Sequence, residues 1–246
     1  MSIFPKHPFP METVFKTCFL ANFEMEPHVL AKLLPDPLEP DIRNGKAYLS
    51  VVVSELMDMR PTFFPKGFGF NFNQIVYRAI VKCNGERGVH FLRSDADNKI
   101  MCIMGNLFSF FHFNYSAVSY ERVNNHFSIE VKTKSGEADI NARYNLANTS
   151  NKMPSGSAFP DLEEAKNYFV ELYVAFSATK NHSTAVRINR TNWNLSVVGH
   201  KNSTYMFMED SAMFPGYATR LDSVFYVENL FYHWHTLEKT AKSFPN

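Results

Sequence analysis

Polar and apolar positions along this chain alternate far more often than they recur at helical spacing. The clearest run is 74–82. Gln74, Val76, Arg78, Ile80 and Lys82 share one face of a strand, and Ile75, Tyr77, Ala79 and Val81 share the other. Asn84-Gly85 is a strong short hairpin signal, and residues 88–94 read as the return strand. Residues 95–98 then read as a turn. Residues 99–104 read as a third strand that 108–115 continues. Asn44-Gly45 leads into a strand over 46–53, and 126–132 and 138–144 form a hairpin across Lys134-Ser135-Gly136. Strand-like text returns at 185–189, 194–198, 204–208 and 224–232.

Two segments read as helices. Residues 26–35 carry Pro27 in the first turn and Pro35 at the end. Residues 161–176 begin with Asp161 as N-cap and Glu164 three positions on. Leu162, Ala165, Phe169, Leu172 and Phe176 keep helical spacing there, which places Glu171 and Tyr173 at the edge of the apolar stripe. A polar loop over 145–160 precedes this helix. The pattern predicts a mainly β (α+β) single domain over 1–246, a barrel or sandwich of short antiparallel strands with two flanking helices. The segments 1–12 and 237–246 are expected to fray.

Composition narrows this picture. The chain is 45% apolar and 20% charged with net charge +1, ordinary for a globular protein and without the basic excess of a nucleic-acid or acidic-membrane binder. It holds 24 Phe and 11 Tyr against 10 Gly, a bias toward strands and large buried side chains. Cys18, Cys83 and Cys102 are scattered, as thiols of a reducing compartment are. The first residues lack a signal peptide's apolar run, and no apolar stretch reaches the roughly 18–20 residues of a spanning helix. A cytoplasmic protein is expected, with neither nucleic acid nor membrane as partner. A homodimer would suit an aromatic-rich β surface.

No GxSxG, P-loop, GxGxxG or HExxH occurs. His233-Trp234-His235 puts two imidazoles on one face of an extended segment, but no third ligand has metal-site spacing, so neither metal nor cofactor is expected. Gln74 and Arg78 lie four residues apart on one strand face, about 13 Å of rise. Arg78 either faces solvent or points inward, where a guanidinium without a partner would be costly and would suit an anion. His112 is a lone imidazole in the aromatic run 108–115.

The order of short motifs carries a resemblance. Leu34-Pro35, Asn44-Gly45-Lys46-Ala47-Tyr48, Arg60, Gln74 to Arg78, Gly88-Val89-His90-Phe91 and Arg93-Ser94-Asp95-Ala96 come first. Gly105-Asn106, Phe108-Ser109-Phe110, Phe111-His112-Phe113, Glu171-Leu172-Tyr173 and Ile188-Asn189-Arg190 before Trp193 follow. From about Phe15 to Trp234 the chain resembles the YqjF-like family, a family of unknown function in the acetoacetate decarboxylase-like superfamily.

The resemblance implies a closed, cone-like antiparallel β-barrel around an internal cavity. Acetoacetate decarboxylases form a Schiff base through a lysine whose pKa is lowered by a neighbouring lysine and by burial. Here the corresponding positions are Phe113 and Asn114, and no lysine lies between Lys99 and Lys132. Schiff-base decarboxylation is therefore not expected. Gln74, Asn106, Phe111-His112-Phe113 and Asn22-Phe23 also depart from the nearer family's titratable residues, whereas Arg60, Arg78, Asp95 and Glu171 keep its polar identity.

The expected function is binding of a small organic ligand, an anion if Arg78 is its anchor. Gln74, Asn106 and His112 would supply hydrogen bonds, and Phe110, Phe113 and Glu171 would join the site. One alternative is a lysine-independent enzyme acting on a carbonyl or carboxylate compound, with Glu171 or His112 as acid/base. The other is a filled barrel with a structural or partner-binding role.

Overall fold

The computed structural model describes residues 5–179, 182–191, 193–210, 213–214 and 219–239. The chain begins with β1 (Met11–Met25), α1 (Pro27–Ala31), β2 (Glu39–Pro40), β3 (Ala47–Pro61), β4 (Phe70–Cys83) and β5 (Glu86–Ala96). It continues through α2 (Lys99–Phe108), β6 (Phe113–Tyr115), β7 (Ala117–Val123), β8 (His126–Lys132) and β9 (Ile140–Ser150). It ends with α3 (Leu162–Phe169), β10 (Val174–Thr179), β11 (His182–Thr191), β12 (Ser196–His200), β13 (Thr204–Tyr205), α4 (Met206–Glu209) and β14 (Arg220–Lys239).

Seven strands close a ring in the order β1, β3, β4, β5, β10, β11, β14, and β14 returns to β1. All these pairings are antiparallel except β5 with β10. The long β14 makes closure possible. It pairs with β1 over Arg220–Trp234 on one edge and with β11 over Phe231–Lys239 on the other. Where β11 ends, β14 takes on β12 instead, and the sheet runs on through β9, β8 and β7 as a second layer.

The period-2 alternation read from the sequence is what separates the two cores. Phe19, Val51, Val53, Ile75, Tyr77 and Ala79 face outward and pack against Phe127, Ile129, Ala142 and Tyr144 of the second layer. Leu20, Val52, Phe72, Val76 and Ile80 face inward. The Asn84-Gly85 turn is as expected, both residues adopting the left-handed conformation (φ 51° and 84°) that a tight hairpin needs.

Several expected elements differ. Residues 99–104 are helical rather than extended. Asn98 caps the helix by accepting from Met101 N at 3.1 Å, and Met101, Cys102, Gly105 and Phe108 follow helical spacing. A run this uniformly apolar hides its period. Gly105 is required because a Cβ there would lie 2.3 Å from the Phe113 ring. The helix expected over 161–176 stops at Phe169, and Val174 onward joins the ring, since sheet closure outweighs a continuing helical stripe. Strand β9 takes up the first part of the loop expected over 145–160. The predicted fraying does not reach Met11–Glu12 in β1 or 237–239 in β14; residues 1–4 and 240–246 lie outside the described residues.

Helix α3 does more than flank the ring. Phe169 is wholly buried, with its ring 5.3 Å from Tyr48, 4.9 Å from Phe159 and 5.9 Å from Phe225, so the helix plugs one end. Its unsatisfied last carbonyls are taken by three arginines. Arg87 donates to Asn167 O and Tyr168 O at 3.3 and 3.1 Å, Arg78 to Phe169 O at 2.9 Å, and Arg190 to Val170 O and Leu172 O at 2.6 Å each. Truncating Phe169→Ala should cost about 3–5 kcal/mol of unfolding free energy in a denaturant melt, whereas Ile103→Ala on the exposed face of α2 should stay within about 0.5 kcal/mol.

Candidate functional site

Above the plug the ring is not filled. A cavity of about 680 Å³ extends from Arg78 to the ring's open end. Its wall is easiest to follow on β4, whose inward residues Phe70, Phe72, Gln74, Val76 and Arg78 all line it. Phe70 at one end of that row is 41% exposed, whereas Arg78 at the other is buried and bonded to the plug at Phe169 O, so Arg78 marks the closed end.

The polar groups are few and share one sign. Arg78 is buried and faces no carboxylate; burial draws its pKa down to about 10, the neighbouring Arg190 contributing in the same direction. Arg190 is clamped by aromatic faces, its guanidinium carbon 5.1 Å from the Tyr173 and Trp193 ring centres and 5.5 Å from that of Tyr232. Each arginine gives an Nη2 to the α3 terminus, yet Nε of both is buried without a hydrogen-bond partner among the described residues. Trp193 Nε1 and His7 Nε2, also on the cavity wall, are in the same condition. No Asp, Glu or Lys lines the cavity among the described residues.

Arg60 also lines the cavity but is spoken for. It pairs with Glu12 and, at 3.1 Å, with Asp58, and its Nε donates to Phe64 O at 3.1 Å. Asp58 holds the same loop by accepting from Gly67 N and from Gly69 N at 2.8 Å, and the Gly67 bond keeps its carboxyl below the usual range. Together they fix the β3–β4 connection, which carries Phe63, Phe64 and Phe68 at the cavity mouth.

Of the residues singled out from sequence, the cavity gathers Arg78, Gln74 and Phe113. The other four stand outside its wall. Asn106 is exposed and spends its side chain on the Phe113 backbone, donating to Phe113 O at 2.7 Å and accepting from Phe113 N at 2.8 Å. His112 is exposed at a left-handed turn position, φ 48°. Phe110 lies under Lys6, 5.6 Å from Nζ to the ring centre. Glu171 is exposed beyond the end of α3. Phe110, His112 and Glu171 had been placed by continuing an element that the chain in fact ends, and Asn106 by its position in the family motif. Asp95 is not a turn residue but is buried at the end of β5, held by both arms of Arg93. His233 and His235 do share a face, ring centres 4.6 Å apart, but no group of three metal-ligating side chains occurs among the described residues.

Arg190, Trp193 and His7 were not anticipated. Arg190 and Trp193 had a signal, since both sit in a stretch that carried the family resemblance. His7 had none, lying in a segment expected to fray. In the fold His7 N donates to Phe108 O at 2.6 Å, and its ring rests 4.9 Å from that of Phe111, so residues 5–10 cross the cavity mouth.

With the geometry in view, the comparisons place the molecule. Its fold is that of acetoacetate decarboxylase-like proteins. Acetoacetate decarboxylase from Legionella pneumophila is similar with a TM-score of 0.63 at 12% identity, over 95% of this chain and 88% of that one. The enduracididine biosynthesis enzyme MppR complexed with pyruvate is similar with a TM-score of 0.60 at 10% identity, over 94% and 90%. The chain belongs to the DUF2071 family, described as an uncharacterized conserved protein (COG2071), which matches residues 13–234. A curated relative, the uncharacterized protein YqjF of Bacillus subtilis (strain 168), is 24% identical over 176 residues, 70% of this chain and 69% of its own length. No helix among the described residues is long and apolar enough to cross a membrane.

Burial, helped by Lys6, lowers the His7 pKa to about 4. The folded chain thus binds this proton less readily than the unfolded chain, whose histidine titrates near 6.5. Stability from His7 is complete above pH 6.5 and is lost as pH falls toward 4. The protection factor of the His7 amide, taken relative to the unfolded-chain exchange rate at each pH, should fall over that interval, and His7→Phe should remove that part of the pH dependence.

Proposed function

We propose that this protein binds a small organic anion in the ring cavity, with its charged group against Arg78 and Arg190. The observation that carries the reading is two guanidiniums whose buried Nε groups have no partner among the described residues, in a cavity wall where those residues include no carboxylate. An isolated buried cation is costly, and an anionic ligand that accepts from it offsets the cost. The Trp193 indole N–H beside Arg190 supplies a neutral hydrogen bond, Gln74 and Ser54 supply others midway along the wall, and the rest receives an apolar body. A carboxylate is the favoured charged group because it matches the planar guanidinium fork. The pyruvate named for the MppR structure is a carboxylate of this kind. Among the described residues the wall holds no lysine for an imine, and neither Glu171 nor His112 reaches it, so binding without Schiff-base chemistry is the reading we adopt.

Both tryptophans, Trp193 and Trp234, line the cavity and make intrinsic fluorescence a direct probe. Hexanoate should change the emission saturably and hexanamide should not; equal affinity for the two would end the proposal. Arg78→Met should weaken hexanoate by at least about tenfold, given roughly 1.5–3 kcal/mol for a hydrogen bond to a charged group. The same change should lower Tm, because it leaves the buried Phe169 carbonyl without its donor, so hexanoate is titrated well below the melting range of the variant.

A further inference from the structure

We infer that the anion is the head of a linear amphiphile, a single-chain aliphatic carboxylate whose tail runs along the cavity toward the phenylalanine-rich mouth. This rests on the reading above and adds the chemistry of the rest of the ligand.

Three observations carry it. The first is shape. The five inward residues of β4 from Arg78 to Phe70 all line one cavity, and eight residues of strand rise about 26 Å. The second is the order of chemistry along that length. Arg78 lies at the closed end, and Gln74 with its ladder partner Ser54 sits midway along the row. Phe91 and Phe113 give the closed half apolar walls beside Arg78 and Val76, and beyond Gln74 the wall is Phe72, Met59 and Phe70, where Arg60 is already paired with Glu12 and Asp58. Among the described residues that line the mouth, a ligand charged at both ends would find only the already paired Arg60, and a compact anion would leave most of the wall uncovered. Methionines among the lining residues adapt to a flexible chain better than to one rigid outline.

The third observation is the mouth itself. Phe63, Phe64, Phe68 and Phe70 are 67%, 51%, 79% and 41% exposed, although the Asp58 and Arg60 contacts hold their loop in place. Met104 of α2 completes the rim. Exposed aromatics clustered around one opening are not accounted for by the packing of the ring. They extend the apolar wall outward for the far end of a chain.

The test is calorimetric titration with linear monocarboxylates from acetate to dodecanoate, with decanol and 2-naphthoate as controls. Affinity should rise about fourfold for each added methylene until the cavity is full, at one ligand per chain. Decanol should bind at least tenfold more weakly than decanoate. Met59→Trp narrows the channel beyond the head site. It should weaken dodecanoate at least tenfold while leaving butanoate within twofold, and Met104→Trp, at the exposed rim, gives the same comparison without touching the interior.

Charge-dependent binding with no gain from chain length would overturn the amphiphile inference and leave the anion reading intact. So would tighter binding of 2-naphthoate than of decanoate, or an unchanged dodecanoate affinity in both tryptophan variants. Equal binding of decanol and decanoate would instead overturn the anion reading beneath it.

Discussion

The arrangement depends on the C-terminal end of one short helix. An α-helix leaves its last carbonyls without partners, and burying them uncompensated inside a strand ring would cost more than the packing of the helix returns. Here arginines from β5, β4 and β11 reach those carbonyls from three sides. The helix can then bring Phe159, Tyr168 and Phe169 against Tyr48 and close one end of the ring. The negative end of the helix dipole also moderates the cost of gathering cations in a dry interior.

The same contacts account for the character of the cavity. An arginine that caps a helix through one Nη still carries a full charge and further donors. Arg78 and Arg190 therefore remain electropositive on the side turned away from α3, in a wall with no acidic residue. Helix capping and cavity charge fall on the same side chains: the plug sets the depth of the cavity, and the groups that hold it supply the charge at its closed end. Arg87 shows the contrasting case. It caps the same helix but has Asp41 2.5 Å from its Nε, and it lies outside the cavity.

The two layers of the protein divide the work. The outward face of the ring is packed tightly against β7, β8 and β9, with a stacked Phe19–Tyr144 pair at 4.3 Å and Tyr77 against Phe207 at 4.3 Å. That layer lets the inward face stay partly unfilled without losing the ring. Phenylalanines thus serve two ends, a close-packed outer core at Phe19 and Phe127 and an inner wall left open at Phe72 and Phe113.

Much of this was legible in the sequence because period-2 alternation is a local property. It placed Gln74 and Arg78 on one face and Tyr77 on the other, and it marked the Asn84-Gly85 hairpin; the run of family motifs pointed to the decarboxylase-like ring. Positions that depend on where an element stops were not legible. Glu171 keeps helical spacing with Glu164, but β10 must leave the helix to pair with β5. His112 continues an aromatic run, but the chain turns there in a left-handed conformation. Residues 99–104 carry too many apolar side chains to show a period, and only the Asn98 cap and the fit of Gly105 against Phe113 decide for a helix. The sequence by itself determined the two faces of the strands and the absence of a lysine from 113 and 114, since both are facts of order along the chain. Only the tertiary structure decided which charges share a cavity and which are neutralised. Pairing is a matter of distance, and Arg60, Arg78 and Arg190 look alike until the fold gives one of them Glu12 and Asp58 and leaves the other two without a carboxylate.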